Sequence, residues 1–311
     1  MSELFCLRLD GIITLRSPLS HIGESAGPDA FLSQDLIVGP DGNPVECFTY
    51  SGNAFRGMLR DLASADFLDT LALGPITLPS FYLLFSGGAL TSGTSLDLGQ
   101  VRALRASLPL ISLLGGAVGS QILPGKLRIG AMYPLAAECL RVLPDSLRRD
   151  DLPSWRQLTF DKSYTRTDDA RNPLLATYRS DEPAAKADNP QQMRYTVELL
   201  AGGTDLYQRI DFVQVTEAEL GVFVAAMLRY ADAPYIGGKG GTGHGLADLR
   251  YDVNMLGEHE HFLTVAEGGI SLSPVAERAL TVYRAQISEL RASIQAQTVA
   301  APVASLLGGG A

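Results

Sequence analysis

The segment IGGKGGTGHG at residues 236–245 places six glycines among ten residues, with one lysine, one threonine and one histidine. None of these side chains builds a core, so the segment is kept for its backbone. Glycine admits positive φ and lets another chain segment come close. Successive free N–H groups in such a loop form a concave anion site, and Lys239 adds a charge. An apolar-patterned helix precedes the loop and an alternating strand follows it, so the fold must bring a helix end, a strand start and a second surface together here.

Residues 3–15 alternate in part and reach the apolar pair Ile12 and Ile13, which predicts a first strand. The stretch up to residue 49 is broken by Pro18, Pro28, Pro40 and Pro44 and reads as a long loop with a turn at Asp41, Gly42 and Asn43. Loops of that length are more often functional than idle. Ser51 or Asn53 caps a helix whose buried stripe is Phe55, Met58, Leu59 and Leu62. Gly57 interrupts it at a cost of about 1 kcal/mol against alanine, which points to close packing or an approaching partner. Arg56 and Arg60 share one face near the helix start, where the dipole gives cations nothing. An external anion explains them; two solvated arginines are the plainer alternative.

Residues 63–150 follow no tidy alternation, although LPGKLRIGAMYPL at 123–135 looks like a strand, and the region reads as an inserted subdomain. Residues 151–194 are polar and interleave Arg156, Lys162, Arg166, Arg171, Arg179 and Lys186 with Phe160, Tyr164 and Tyr178, a mixture suited to stacking and phosphate binding and equally to a disordered insertion. Segments 159–165 and 174–179 are expected to be two arms of a hairpin. Strands are then predicted at 195–200 and 206–215 across the Gly202–Gly203 turn, and Thr216 and Glu219 form a capping box for a helix with Leu220, Phe223, Val224 and Met227 inward. The glycine loop, a strand from Leu246 to about Val253 and a helix from Pro274 with Leu280, Tyr283, Ile287, Leu290 and Ile294 buried complete the chain.

Stripped of insertions, the order is strand, helix, strand, strand, helix, strand. This predicts an α+β fold, a ferredoxin-like or RNA-recognition-like βαββαβ core. Its parts are a palm of residues 1–62 and 195–271, an inserted finger region at 63–150, a protruding thumb hairpin at 151–194, a C-terminal helix at 272–297 and a flexible tail at 298–311. The plan alone warrants no function.

A net charge of −9 argues against a loose nucleic-acid binder but leaves room for a local basic groove. Cys6, Cys47 and Cys139 are far apart with no CxxC, which predicts a reducing cytoplasm. No signal peptide is read in the first residues, and no apolar run is long enough for a membrane span.

Gly238-x-Gly240-x-x-Gly243 matches the dinucleotide fingerprint in letters only, because that motif follows a strand and opens a helix, the reverse of the order here. A Walker A loop fails too: Gly240, not Ser or Thr, follows Lys239. His259 and His261 lack a third ligand nearby, and no nucleophile, base and acid constellation is visible, so neither a metal nor a cofactor is expected. His21 and His244 lie in loops beside glycines, where each is a candidate ligand contact or a loop hydrogen bonder. Asp29, Asp35 and Asp41 read as turn carboxylates.

Four segments in order resemble the RAMP superfamily, and within it the multi-copy backbone subunit of CRISPR effector complexes of types III and IV. They are SPLSHIG at 17–23, YSGNAFRGMLR at 50–60, ELLAGGTDLYQRI at 198–210 and the glycine loop; SHIGE and SGNAFRG lean to type IV. The resemblance implies a hand-shaped subunit that binds CRISPR RNA, stacks with further copies of itself and other effector subunits, and presents the guide for pairing with target DNA or RNA. It implies guide-phosphate contacts at Ser51, Asn53, Arg56 and Arg60, with His21 and Gly52 also in the RNA-binding set. It implies close RNA approach at Gly237, Gly238, Gly240 and Gly241, beside Lys239, Thr242 and His244, with Lys162 and Arg166 on the thumb. In type III relatives an aspartate after the first strand cuts target RNA. Asp35 falls close to that position amid different neighbours, so a binding subunit is expected ahead of an Asp35-dependent ribonuclease. A nucleotide-binding enzyme using the glycine loop is the third alternative.

Overall fold

The computed structural model describes residues 3–72, 74–90, 97–166, 177–178, 193–255, 258–299, 303–304 and 307. The first strand, β1 (Phe5–Leu15), buries Leu9, Ile13 and Leu15 on one face and becomes the centre of the main sheet. The following stretch is not one long loop. It forms β2 (Ile22–Ala26), β3 (Asp29–Leu32), β4 (Gln34–Val38) and β5 (Pro44–Phe48), with the predicted Asp41–Asn43 turn closing the β4–β5 hairpin. Gly and Pro mark the turns of these short strands, and their density hid the strands themselves.

Helix α1 (Gly52–Leu71) starts at Ser51, whose hydroxyl accepts from the Asn53 N–H, and buries Phe55, Leu59, Ala63 and Phe67. The finger region then supplies α2 (Leu78–Ser86), α3 (Leu98–Ser107), α4 (Pro109–Leu114), β6 (Gly116–Val118), β7 (Gln121–Leu123), β8 (Leu127–Ile129) and β9 (Tyr133–Pro134). The thumb strands are β10 (Thr159–Arg166) and β11 (Met193–Leu200). They are followed by β12 (Asp205–Val215), α5 (Glu217–Asp232), β13 (Ala247–Met255), β14 (Glu258–Ala266), β15 (Gly269–Leu272) and α6 (Pro274–Gln295).

The main sheet runs β15-β14-β13-β1-β12-β8, all neighbours antiparallel, with β9 also on β12. The inner order β13-β1-β12-β8, with α1 between β1 and β8 and α5 between β12 and β13, is the ferredoxin-like split βαβ arrangement. The plan is as expected, but one strand is reassigned. The second palm strand is β8, inside the region read as an insertion, and not residues 195–200.

Strand β11 lies in a different sheet, β10-β11-β3-β2, where it pairs β10 antiparallel and β3 parallel. The Gly202–Gly203 turn is therefore not a hairpin; it carries the chain from one sheet to the other, with the Gly203 N–H on the Leu15 carbonyl. The first expected thumb arm is a strand, but its partner is β11; most of 174–179 lies outside the described residues.

Helices α1, α5 and α6 cover one face of the main sheet. The Thr216–Glu219 capping box opens α5 as predicted, and Lys126 adds a 2.7 Å ion pair to Glu219. α5 and α6 cross closely: a Cβ on Gly221 would lie 2.2 Å from the Ala279 carbonyl oxygen. Arg284 of α6 pairs with the buried Asp66 of α1 at 2.6 Å. Within the tail, Val303 and Leu307 are buried against the core, and most of the remaining residues from 300 on lie outside the described residues.

Candidate nucleic-acid interface

The glycine loop joins α5 to β13 and lies against the segment that follows β1. The Gly238 N–H donates to the Ser20 carbonyl at 2.7 Å, the Gly245 N–H to the Pro18 carbonyl at 2.8 Å, and the Leu246 N–H to Ser17 Oγ at 2.9 Å. Gly237 and Gly245 have φ of +73° and +86°, and added Cβ atoms would sit 2.5 Å from the Ser20 oxygen and 1.9 Å from the Ile236 oxygen. Those glycines are required by the protein's own packing, and the N–H groups of 237, 238 and 245 are already spent. The concave anion nest is thus corrected to a narrower feature: Gly240, Gly241 and Gly243 stand exposed, with no atom closer than 3.9 Å to an added Cβ. Thr242 closes the turn by donating from Oγ1 to the Lys239 carbonyl.

The start of α1 adjoins this loop through Tyr50, whose hydroxyl oxygen accepts from the Gly237 N–H at 3.2 Å. Ser51 is the N-cap, Asn53 is exposed, and no acidic residue stands in the first turn, which leaves the positive helix end uncompensated. Gly52 is pressed onto the strand beside it, 2.5 Å from the Ile129 oxygen for an added Cβ. His21 packs on Tyr50 with ring centroids 4.4 Å apart, and its Nε2 accepts from the Ser51 N–H at 3.2 Å. Burial holds the His21 pKa below the ordinary value.

Arg60 is not where binding a phosphate needs it. It is 8% exposed, and its guanidinium donates to the carbonyls of Leu83 and Leu84 at the end of α2 and of Leu114 and Gly115 at the end of α4. Two negative helix ends take the place of a carboxylate. Burial, then neighbouring Arg56, pulls its pKa down to about 10, so it stays charged at neutral pH. Arg56 shares the Leu114 carbonyl but is only half-buried and opens on a pocket lined also by Gly88, Gly116 and Ile122. Sequence spacing put both arginines on one face; it gave no sign that two helix ends from the finger occupy it.

The thumb meets the glycine loop at its base. Tyr164 and Tyr195 stack across β10 and β11, centroids 5.2 Å apart at 15°. The Lys239 ammonium lies 4.8 Å from the Tyr195 ring and 5.6 Å from Tyr164, and Lys162 lies 5.4 Å from the same Tyr164 ring. His244, 2% exposed, hydrogen-bonds the Tyr164 hydroxyl through Nε2. Its pKa is lowered by burial, then by Lys162 and Lys239, so the imidazole is neutral beside two cations. Lys239 itself takes a left-handed φ of +60°. Arg194 projects on the other face of the hairpin, to Ser163 Oγ at 3.2 Å. Arg166 ends β10 opposite Met193. Sequence spacing does not single out Tyr50, Arg194 or Tyr195; an aromatic opposite Tyr164 on the true partner strand is the signal that points to Tyr195.

The remaining candidates lie apart. Asp35 is exposed on β4 opposite Cys47. His261 bonds Thr264, and His259 lies 3.9 Å from Asp10. Among the described residues no group of three or more His, Cys, Asp and Glu side chains is arranged for a metal. The open face of the main sheet carries Arg8–Asp10, Arg209–Asp211 and Arg250–Asp252 pairs, so its cations are neutralised in place. Among the described residues no helix is long and apolar enough to cross a membrane.

No family model and no curated protein matches the chain. Among solved structures, a chain of a "Type IV-B CRISPR Complex" aligns with a TM-score of 0.54 and 21% identity, covering 86% of this chain and 96% of that one. The two chains share a fold. The coverage extends the likeness well beyond the palm to most of the architecture.

Proposed function

We propose that this chain is a CRISPR RNA-binding backbone subunit of a CRISPR effector complex, of the RAMP type and nearer to type IV. The observation that carries the reading is the convergence of Lys162 and Lys239, from the thumb and the glycine loop, on one tyrosine pair. Cations without an ion-pair partner among the described residues, beside aromatic rings, suit a single-stranded polynucleotide, whose phosphates take the charge and whose bases stack. The shared fold with a chain of a type IV-B CRISPR complex supports the setting. The guide passes the base of the thumb, the open turn at Gly240 and Gly241, and the α1 start at Ser51 and Asn53, with Arg56 at the edge of that track. Further copies and other effector subunits line the same guide in the cytoplasm, and the guide pairs with target DNA or RNA.

The test is purification from a host that expresses the guide. A discrete short RNA should copurify, and Lys162→Glu with Lys239→Glu should release it while the protein stays folded. A protein that is strictly monomeric and free of RNA would overturn the reading.

A further inference from the structure

The atoms around the α1 start divide into those facing outward and those that hold the start in place, and His21 falls in the second group. Its Nε2 accepts a hydrogen bond from the Ser51 N–H, the residue that caps α1. An atom that accepts from a backbone N–H cannot also donate to a phosphate oxygen. The ring packs on Tyr50, and the Tyr50 hydroxyl accepts from the Gly237 N–H. Tyr50 is itself fixed by two backbone hydrogen bonds with Met132, at 3.0 and 2.9 Å. The neighbouring Ser20 accepts from Gly238. Three segments distant in sequence, 17–21, the α1 start and the glycine loop, thus meet through two side chains that both act as acceptors.

We infer that His21 and Tyr50 are positioning residues that set the spacing between the α1 start and the glycine loop. The inference rests on the RNA-binding reading above and assigns to His21 a role different from ligand contact. A helix start presents N–H groups with no partner inside the helix. His21 consumes the one at Ser51 and leaves the outward ones at the first turn in a fixed place relative to Lys239.

The test uses the full chain, a single-stranded RNA oligonucleotide, and affinity measured over a range of salt. Losing one hydrogen bond of ordinary strength should weaken binding by roughly three- to tenfold in His21→Ala. The slope of log affinity against log salt should not change, because the number of phosphates neutralised stays the same. His21→Gln, whose amide oxygen can accept from Ser51, should recover most of the affinity, and Tyr50→Phe should behave like His21→Ala. Lys239→Ala serves as the contrast, lowering the slope by about 0.7. Amide hydrogen exchange without RNA gives an independent readout: His21→Ala should speed exchange at Ser51, and Tyr50→Phe at Gly237. A slope reduced in His21→Ala as in Lys239→Ala, or unaltered exchange in the variants, would overturn the positioning role. Failure of the wild type to bind any RNA, with the exchange effects intact, would instead count against the functional reading alone.

Discussion

The ammonium of Lys239, in the glycine loop, lies 4.8 Å from the ring centroid of Tyr195 on β11. The contact joins a loop after α5 to a thumb strand, and it holds the lysine at the mouth of the loop without neutralising it. Cation–π attraction of this kind contributes about 0.5–1 kcal/mol at a partly exposed site. Lys239→Ala and Lys162→Ala should each weaken RNA binding and flatten its salt dependence, by about 0.7 in slope for each phosphate no longer neutralised. Fluorescence anisotropy at several ionic strengths reads this directly.

Arg60 tests the opposite case. Removing it leaves the carbonyls of Leu83, Leu84, Leu114 and Gly115 without their donor in a buried place. Arg60→Ala should cost about 3 kcal/mol of stability, and Arg60→Lys should recover only part, since an ammonium cannot fork to two helix ends. Denaturant unfolding should show the loss in the absence of any RNA. Asn53→Ala, at an exposed position, should leave the midpoint nearly unchanged.

Stability should fall as the solution is acidified through the histidine range. His21 and His244 both have pKa values lowered by burial from the ordinary 6.5. The unfolded chain therefore takes up protons first as pH drops below 6.5. Stability is full above that value, declines until the lowered folded values are passed, and then levels. Melting temperatures from pH 7.5 to 5 should trace that decline, and His21→Gln should make it shallower.

Gly57 sits mid-helix on α1, exposed, with nothing within 4 Å of an added Cβ. Gly57→Ala should stabilise the isolated chain by about 0.5–1 kcal/mol. If the same variant also loads less RNA or assembles poorly, the glycine is kept for a partner that approaches α1 there. Unchanged loading would remove that explanation.

Asp35 stands alone and exposed on β4, so cleavage of a complementary target RNA with magnesium present should be absent both in the wild type and in Asp35→Ala. Periodic cuts abolished by the substitution would establish the ribonuclease alternative.

The palm was legible because its helices announce themselves: Ser51 caps α1, and Thr216 and Glu219 box the start of α5. β8 falls inside the stretch 123–135 that reads as a strand, but nothing local names its partner: Ile210 lies 81 positions on from Ile129, so the strand reads as part of the insertion. The Gly202–Gly203 pair is legible as a turn, but local chemistry cannot tell a return within one sheet from a passage between two. Arg60 was misread for a related reason. A cation's partners in this fold are helix-end carbonyls, which leave no mark in a sequence. The glycine loop was legible in kind and not in division of labour, since glycines forced by Ser20 and Ile236 look the same as those left open.

The pairing of β1 with β12 and β13 has a consequence for how the chain is born. Leu9 faces Ile210 on one side and Val253 on the other. β1 cannot acquire either neighbour until about two hundred further residues follow it from the ribosome, which takes on the order of 10–40 s at ordinary elongation rates. Its apolar face must wait through that interval, so the nascent chain is most exposed to misassembly before β12 emerges, and the finger helices are free to collapse first.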